Sequence, residues 1–419
     1  MKKALILTVG TGTGEGADIV SPLTLAVRHA NPQKVVLIIS AQSQRYAEEM
    51  VRRLGEIEAD YRLVADPDNV EAVFHSCLDA LRTLRAEGFA PADVDADFTS
   101  GTKPMTSGLV LAAVAFGCQT LNFVTGQRLH GTVAAGTERF SGIRPQAVLA
   151  ERQLDLARES LRELQFEAAR RALPPAAPPL DVYGVRRAEV TSALVEAYEA
   201  WDRFEHREFM NHYRRAEADL DRISELNAFA VDKPVIDRVA RMAVTSQDKD
   251  WRKTLTEDRI ADLLNNADRR IVEGRFDDAV ARLYRCAEMI AQYVLRSTHQ
   301  IDTGNVPDDV LRSAQLDVPR ARDGRRKLGL QDAYRLLKQR ADPVGEAFQK
   351  AGGLSTALSA RNASILAHGH VPIGKQHASI LRAELTPLVT LVVADINQRC
   401  EELQFPWLRE TAADELTSA

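Results

Sequence analysis

Two hydrophobic periodicities divide this chain. From residue 4 to about 143, short apolar runs alternate with amphipathic stretches. Ala4–Val9 and residues 35–40 are continuous apolar runs, which suit strands buried on both faces of a parallel sheet. Residues 61–64, 96–99 and 120–124 are shorter strand candidates, and 129–134 could add an edge hairpin. Between them the spacing predicts helices over roughly 17–30, 43–55, 69–87 and 103–117. Strands alternating with helices imply a parallel sheet covered on both faces. After about residue 150 the strand signal fades and helical spacing runs to the end. Long amphipathic helices are expected over 183–227, with Tyr198, Trp201 and Phe204 on a packing face, and further helical blocks over about 255–298 and 330–410. The fold class predicted is α/β, an N-terminal Rossmann-like parallel sheet followed by an all-α C-terminal region. The proline-rich stretch Ala172-Leu173-Pro174-Pro175-Ala176-Ala177-Pro178-Pro179 is the candidate linker. The domains expected are therefore 1–145, a helical and proline-rich linker over 146–182, and 183–419.

Composition narrows this only a little. At 419 residues, 45% hydrophobic and 27% charged, the chain has material for more than one core. No run of eighteen apolar residues is present, so a membrane span is not expected. The N-terminal apolar run lacks the longer core and cleavage site of a signal peptide and reads as a strand. Cys77, Cys118, Cys286 and Cys400 are far apart, without metal-ligand spacing, as suits buried thiols in a reducing cytoplasm. The net charge of −5 argues against broad non-specific nucleic-acid binding, so any RNA contact is expected to be local.

Chemistry gathers at two strand ends. Strand one runs into Gly10-Thr11-Gly12-Thr13-Gly14-Glu15-Gly16-Ala17. Glycines between a parallel strand and a helix let backbone N–H groups approach an anion. Strand two ends in Ser40-Ala41-Gln42, with no acid to hold a ribose hydroxyl, and no Gly-Lys-Ser/Thr sequence occurs. Both facts count against a dinucleotide-dependent or P-loop enzyme. The fourth strand leads into Asp97-Phe98-Thr99-Ser100-Gly101-Thr102-Lys103-Pro104-Met105. Three hydroxyls, a glycine and a lysine cluster there, with Pro104 suited to a first helical turn. Ligands of open α/β sheets bind at the carboxyl ends of strands, and this loop can donate to phosphates or riboses. It also suits a well-capped helix start, with Thr99 or Thr102 as N-cap. The candidate ligand-binding residues are Gly10, Thr11, Gly12, Ser40, Thr99, Ser100, Gly101, Thr102 and Lys103.

A third signal lies near the C-terminus, in Arg361-Asn362-Ala363-Ser364-Ile365-Leu366-Ala367-His368. On a helix, Arg361 and His368 are almost two turns apart and share a face with Leu358 and Ile365. Charged groups in an apolar seam are costly without a partner or a task. Histidine moves protons near neutral pH, and arginine holds phosphate in a two-pronged hydrogen bond. The same pattern also suits a histidine at a helix C-terminus capped by Gly369. A basic stretch between Arg320 and Arg340 suits either phosphate contact or a solvated face.

The Asp97–Met105 sequence resembles the signature of CARF domains, the Rossmann-like sensors of CRISPR systems. Arg361-Asn362 followed by His368 is similar to the R-x4-6-H motif of HEPN ribonucleases, and residues 275–285 resemble a helix of the same group. The resemblance covers the chain in order, sensor first and helical nuclease last. It implies a CARF-like sensor for cyclic oligoadenylate, with tetra- or hexa-adenylate as the expected ring, and a HEPN-like, metal-independent endoribonuclease acting on single-stranded RNA in type III CRISPR defence. It also implies a homodimer, with catalytic Arg361, Asn362 and His368 and no metal or other cofactor. The rival expectation is a non-catalytic nucleotide sensor whose helical part recruits a partner.

Overall fold

The computed structural model describes residues 2–12, 18–129, 132–134, 136–174, 180–243, 255–351, 354 and 370–409. Two compact units are formed. The first takes 1–156 with 173–188, and the second takes 157–172 with 189–419. The division into 1–145, 146–182 and 183–419 remains a proposal, and residues 175–179 of its proline-rich segment lie outside the described residues.

The first unit is a six-stranded sheet in the order β3-β2-β1-β4-β5-β8. Strands β1 (Ala4–Val9), β2 (Lys34–Ile39), β3 (Glu58–Leu63), β4 (Val94–Asp97) and β5 (Thr120–Thr125) are parallel, as the alternating pattern predicts. Helices α1 (Val20–Ala30) and α2 (Gln44–Leu54) cover one face, packing on Leu5, Leu7, Val35 and Leu37. Helices α3 (Val70–Ala86) and α4 (Lys103–Phe116) cover the other, on Ala4, Ile6, Val36 and Ile38. Alternate residues of one strand feed opposite cores, which is why both strands read as unbroken apolar runs.

The sheet departs from the expectation at its edge. β8 (Arg139–Ile143) pairs antiparallel with β5, and all five of its residues are exposed. The expected hairpin is a separate ribbon, β6 (Arg128–Leu129) against β7 (Thr132–Val133), and does not extend the main sheet.

The second unit is all helix among the described residues. Its long members are Val182–Asp202, which begins in the first unit, His206–Leu220, Glu257–Val272, Phe276–Ser297 and Lys375–Val392. Tyr198 and Trp201 are fully buried beside Phe209 and Phe405, as their helical spacing predicts. Phe204 is half-buried at the turn after the helix, in a left-handed conformation (φ 63°). Several polar groups inside this core are paired. Trp201 Nε1 donates to Asp262 at 3.0 Å, and His206 Nε2 lies 2.8 Å from the other Asp262 oxygen. Asp202 receives Arg269 at 2.8 Å and also Arg270, while the Arg269 guanidinium lies 4.0 Å from the Phe405 ring centre.

The four cysteines are free. Burial pushes each thiol up to about 12, so they are inert core atoms rather than nucleophiles.

Candidate ligand pocket and nuclease residues

In the strand order, β1 lies between β2 and β4, the point where chain order reverses and a crevice opens above the strand ends. Leu7 stands opposite Asp97, and continuing that register brings Gly10 level with Ser100. The Gly10 N–H donates to Ser100 Oγ at 3.1 Å, and Thr8 Oγ1 donates to the Ser100 carbonyl. The approach requires glycine. A Cβ on Gly10 would lie 2.7 Å from the Gly101 nitrogen and 2.9 Å from its Cα. Gly101 itself sits at φ +127°, where a side chain is strained.

The loop is tied down on its other side too. Val124 N–H donates to Thr99 Oγ1 at 2.8 Å, and Thr99 N–H donates to Asp97 Oδ1 at 2.9 Å. Asp97 is 2% exposed, and burial raises its carboxyl to about 6 against the opposing Thr99 hydrogen bonds. Thr102, not Thr99, caps α4: its Oγ1 accepts Met105 N–H at 3.4 Å and donates to the Pro67 carbonyl at 3.1 Å. The hydroxyls of Thr99 and Ser100 thus each accept one backbone N–H; the Thr99 hydroxyl also bonds the Asp97 carboxyl, while that of Ser100 keeps a hydrogen to donate.

These residues enclose a cavity of about 260 Å³, lined by Gly10, Thr11, Gly12, Thr99, Ser100, Gly101 and Thr102 with Asp18, Ile19, Pro22, Leu23, Val124 and Val133. Seven of the sequence-predicted ligand residues therefore meet in one place. The other two stand apart from that wall. Lys103 is exposed on the first turn of α4. Ser40 is buried at the end of β2, where its N–H donates to Ser43 Oγ at 2.9 Å and its hydroxyl lies 3.3 Å from the same oxygen.

Asp18 is the wall residue that the motifs do not reveal. It accepts Ser21 N–H at 3.0 Å at the start of α1. Burial tends to raise its carboxyl, but the Ser21 hydrogen bonds and nearby Arg53 outweigh this and hold it below the usual range.

Arg361, Asn362 and His368, with Leu358, Ile365 and Gly369, lie outside the described residues. Soon after them, Ile373 N–H donates to Asp277 at 3.4 Å, anchoring the chain to the start of helix Phe276–Ser297. Part of the basic stretch is paired with acids. Arg320 and Arg326 both bind Asp308, Lys327 binds Asp323 at 2.8 Å, and Arg335 lies 3.3 Å from Asp332. Among the described residues, no three His, Cys, Asp or Glu side chains gather to hold a metal ion, and no helix is long and apolar enough to cross a membrane.

A crevice at the switch point of a parallel sheet, followed in the chain by a helical region, defines a two-part protein with a Rossmann-like N-terminal fold. Residues 248–391 match the family model described as the Csm6 HEPN domain. Enterococcus italicus Csm6, solved with cyclic hexa-2′-fluoro-hexa-dAMP, has the same fold, with TM-score 0.59 and 12% identity over 98% of this chain and 100% of that one. A type III CRISPR defence DNA nuclease activated by cyclic oligoadenylate overlaps more slightly, with TM-score 0.25 and 18% identity over 48% of this chain and 34% of that one. No curated protein matches the sequence. The resemblance to CRISPR-associated CARF–HEPN proteins read from the motifs thus holds in fold along the chain and in sequence over the HEPN segment.

Proposed function

We propose that the chain is a cyclic-oligoadenylate-activated endoribonuclease of type III CRISPR defence, cutting single-stranded RNA without a metal. One conjunction supports this reading. The glycine- and hydroxyl-lined crevice stands in the same chain as a Csm6-type HEPN segment that contains Arg361, Asn362 and His368. The Enterococcus italicus relative, whose fold is shared, is itself a complex with a cyclic hexa-adenylate analogue.

Ring phosphates take the hydroxyl proton of Ser100 and the charge of Lys103. An adenine amine donates to Asp18. A symmetric ring favours a symmetric receptor, so two chains meet across a two-fold axis. The nuclease follows the same symmetry, because each chain supplies a single Arg361/His368 set.

RNA brings its own nucleophile, the 2′-hydroxyl. Arg361 stabilises charge on the phosphorane, and Asn362 orients the histidine or a phosphate oxygen. His368 acts as general acid or base, a contribution of about 10²–10⁴-fold. The products carry 2′,3′-cyclic phosphate.

The test is cleavage of a fluorescent RNA with cyclic tetra- or hexa-adenylate, in EDTA and with substrates 2′-deoxy at the cut. Activity is expected in EDTA and absent on the deoxy substrate. Arg361→Ala and His368→Ala are each expected to abolish cutting while ring binding persists, and His370→Ala to matter less. Ring binding with no cutting under any condition points to the non-catalytic sensor instead. A strictly monomeric protein in sedimentation, with and without ring, removes the composite site.

A further inference from the structure

Arg282, Arg285, Met289, Gln292 and Arg296 follow one another at spacings of three and four along the 22-residue helix Phe276–Ser297, and so share one side of it. From Arg282 to Arg296 that side is roughly 21 Å long at 1.5 Å per residue. Three depressions follow it. The first, of about 640 Å³, includes Phe204 and Arg282 in its wall. The second, of about 490 Å³, shares both residues and adds Arg259, Leu263, Arg285 and Met289. The third, of about 460 Å³, shares Leu255 with the second and continues to Gln292, Arg296 and Lys327.

The middle depression has an unusual chemistry. Its described lining is apolar except for three arginines, and it contains no acid. All three arginines have an acid close by, outside the lining; the charge of Asp262 acts on Arg259. Glu288 pairs with Arg285 at 2.9 Å, and Asp278 lies 3.5 Å from Arg282. Burial, and after it the charge of Arg270, shifts Arg282 below the ordinary arginine value, against the opposing charges of Asp278 and Asp202. In the third depression Arg296 Nη1 is buried with no hydrogen-bond partner among the described residues.

The wall of the first depression also holds Glu167, Glu199, Asp202 and Glu273, and that of the third holds Asp302. We infer that the middle depression, continued into the third, carries a single strand of RNA, its bases on the apolar floor and its phosphates on the arginine rim. The inference rests on the ribonuclease reading above. An arginine fork matches phosphate, and an apolar floor takes the face of any unpaired base without reading sequence. Duplex RNA hides its base faces and leaves the floor unused.

The experiment is fluorescence anisotropy of a labelled 10-nucleotide single strand on the full-length His368→Ala protein, over a salt series. Arg285→Glu and Arg296→Glu are each expected to weaken binding about tenfold or more and to flatten the salt dependence by about one phosphate contact, near 0.7 in log–log slope. Arg285→Lys should restore most of the affinity. Duplex RNA and a mononucleotide should bind more weakly than the strand. Unchanged affinity and slope in both glutamate variants overturns the groove. So does a mononucleotide binding as tightly as the 10-mer, or altered self-association with unaltered RNA affinity, which assigns the face to a second copy. If Arg285→Glu lowers the melting temperature too far, Arg296→Glu alone decides between these outcomes. Groove-dependent binding without ring-stimulated cleavage by the His368 protein sinks the nuclease reading and leaves the groove; cleavage with groove-independent binding does the reverse.

Discussion

At the strand-end cavity, Gly10 and Gly101 meet backbone to backbone, and Asp18 is the one charged residue on the described wall. In the helical unit, Asp202 receives Arg269 and Arg270 together, and Asn266 donates to it at 2.8 Å while accepting from Arg282. The first place owes its shape to small size and main-chain bonds, so added volume should harm it most. The second owes its shape to opposed charges out of water, so removing one partner should harm it most.

Asp202→Ala gives the largest expected effect. It leaves Arg269 (1% exposed) and Arg270 (4% exposed) without their shared anion. Breaking a buried pair in this way costs about 3–5 kcal/mol. Hydrogen exchange should show lost protection in Glu257–Val272 while β1, β2 and β4 stay protected. Equal loss in both units would erase the contrast.

Asp97→Asn sharpens it from the opposite side. The carboxyl titrates near 6 when folded and near 3.8 in an ordinary environment, so folding favours its protonated form. That contribution is complete below about pH 4 and is lost as pH rises through 6. Above that, the buried charge costs up to about 3 kcal/mol. Asparagine keeps an oxygen for Thr99 N–H without the charge. The variant should melt higher than the parent at pH 8 and no higher at pH 4.5. A pH-independent difference would show that the carboxyl is not buried as charge.

Gly10→Ala is expected to cost about 1–3 kcal/mol through overpacking against Gly101, and to weaken ring binding in calorimetry far more than stability. Lys103→Ala completes the series. Its side chain is exposed, so thermal stability should stay the same while ring affinity falls about tenfold, near 1.4 kcal/mol. Unchanged affinity would move the phosphate contact elsewhere on the loop.

These sites were unequally legible in the sequence. β1 and β2 stand out because both faces of each strand are buried, so apolar residues follow one another with only Thr8 and Lys34 as polar positions. β8 does not, since Arg-Phe-Ser-Gly-Ile lies exposed at an edge and carries neither period. The glycine and threonine loops could be recognised because a close main-chain approach restricts residue type. Ser40 shows the weakness of that logic, for a hydroxyl at a strand end satisfied by Ser43 looks the same in sequence as one awaiting a ligand. Asp18 gave no signal apart from standing where a helix begins. The arginines of the groove escaped notice because Arg259 comes from another helix and acids on neighbouring faces balance the rest in any linear window. The 320–340 stretch is hard to read for the complementary reason: its basic count is high, but Asp308, outside that window, and Asp323 answer part of it in space.

The division of the chain bears on how such a protein could be assembled or dismantled. The backbone passes between the units three times, after residues 156, 172 and 188. No single cut releases either unit whole, so a protease nick in the 172–179 region should leave two fragments that still co-purify. By the same topology, exchanging the N-terminal unit for another by recombination needs compatible break points in several places at once, and this unit should be inherited with its helical companion rather than shuffled as an independent cassette.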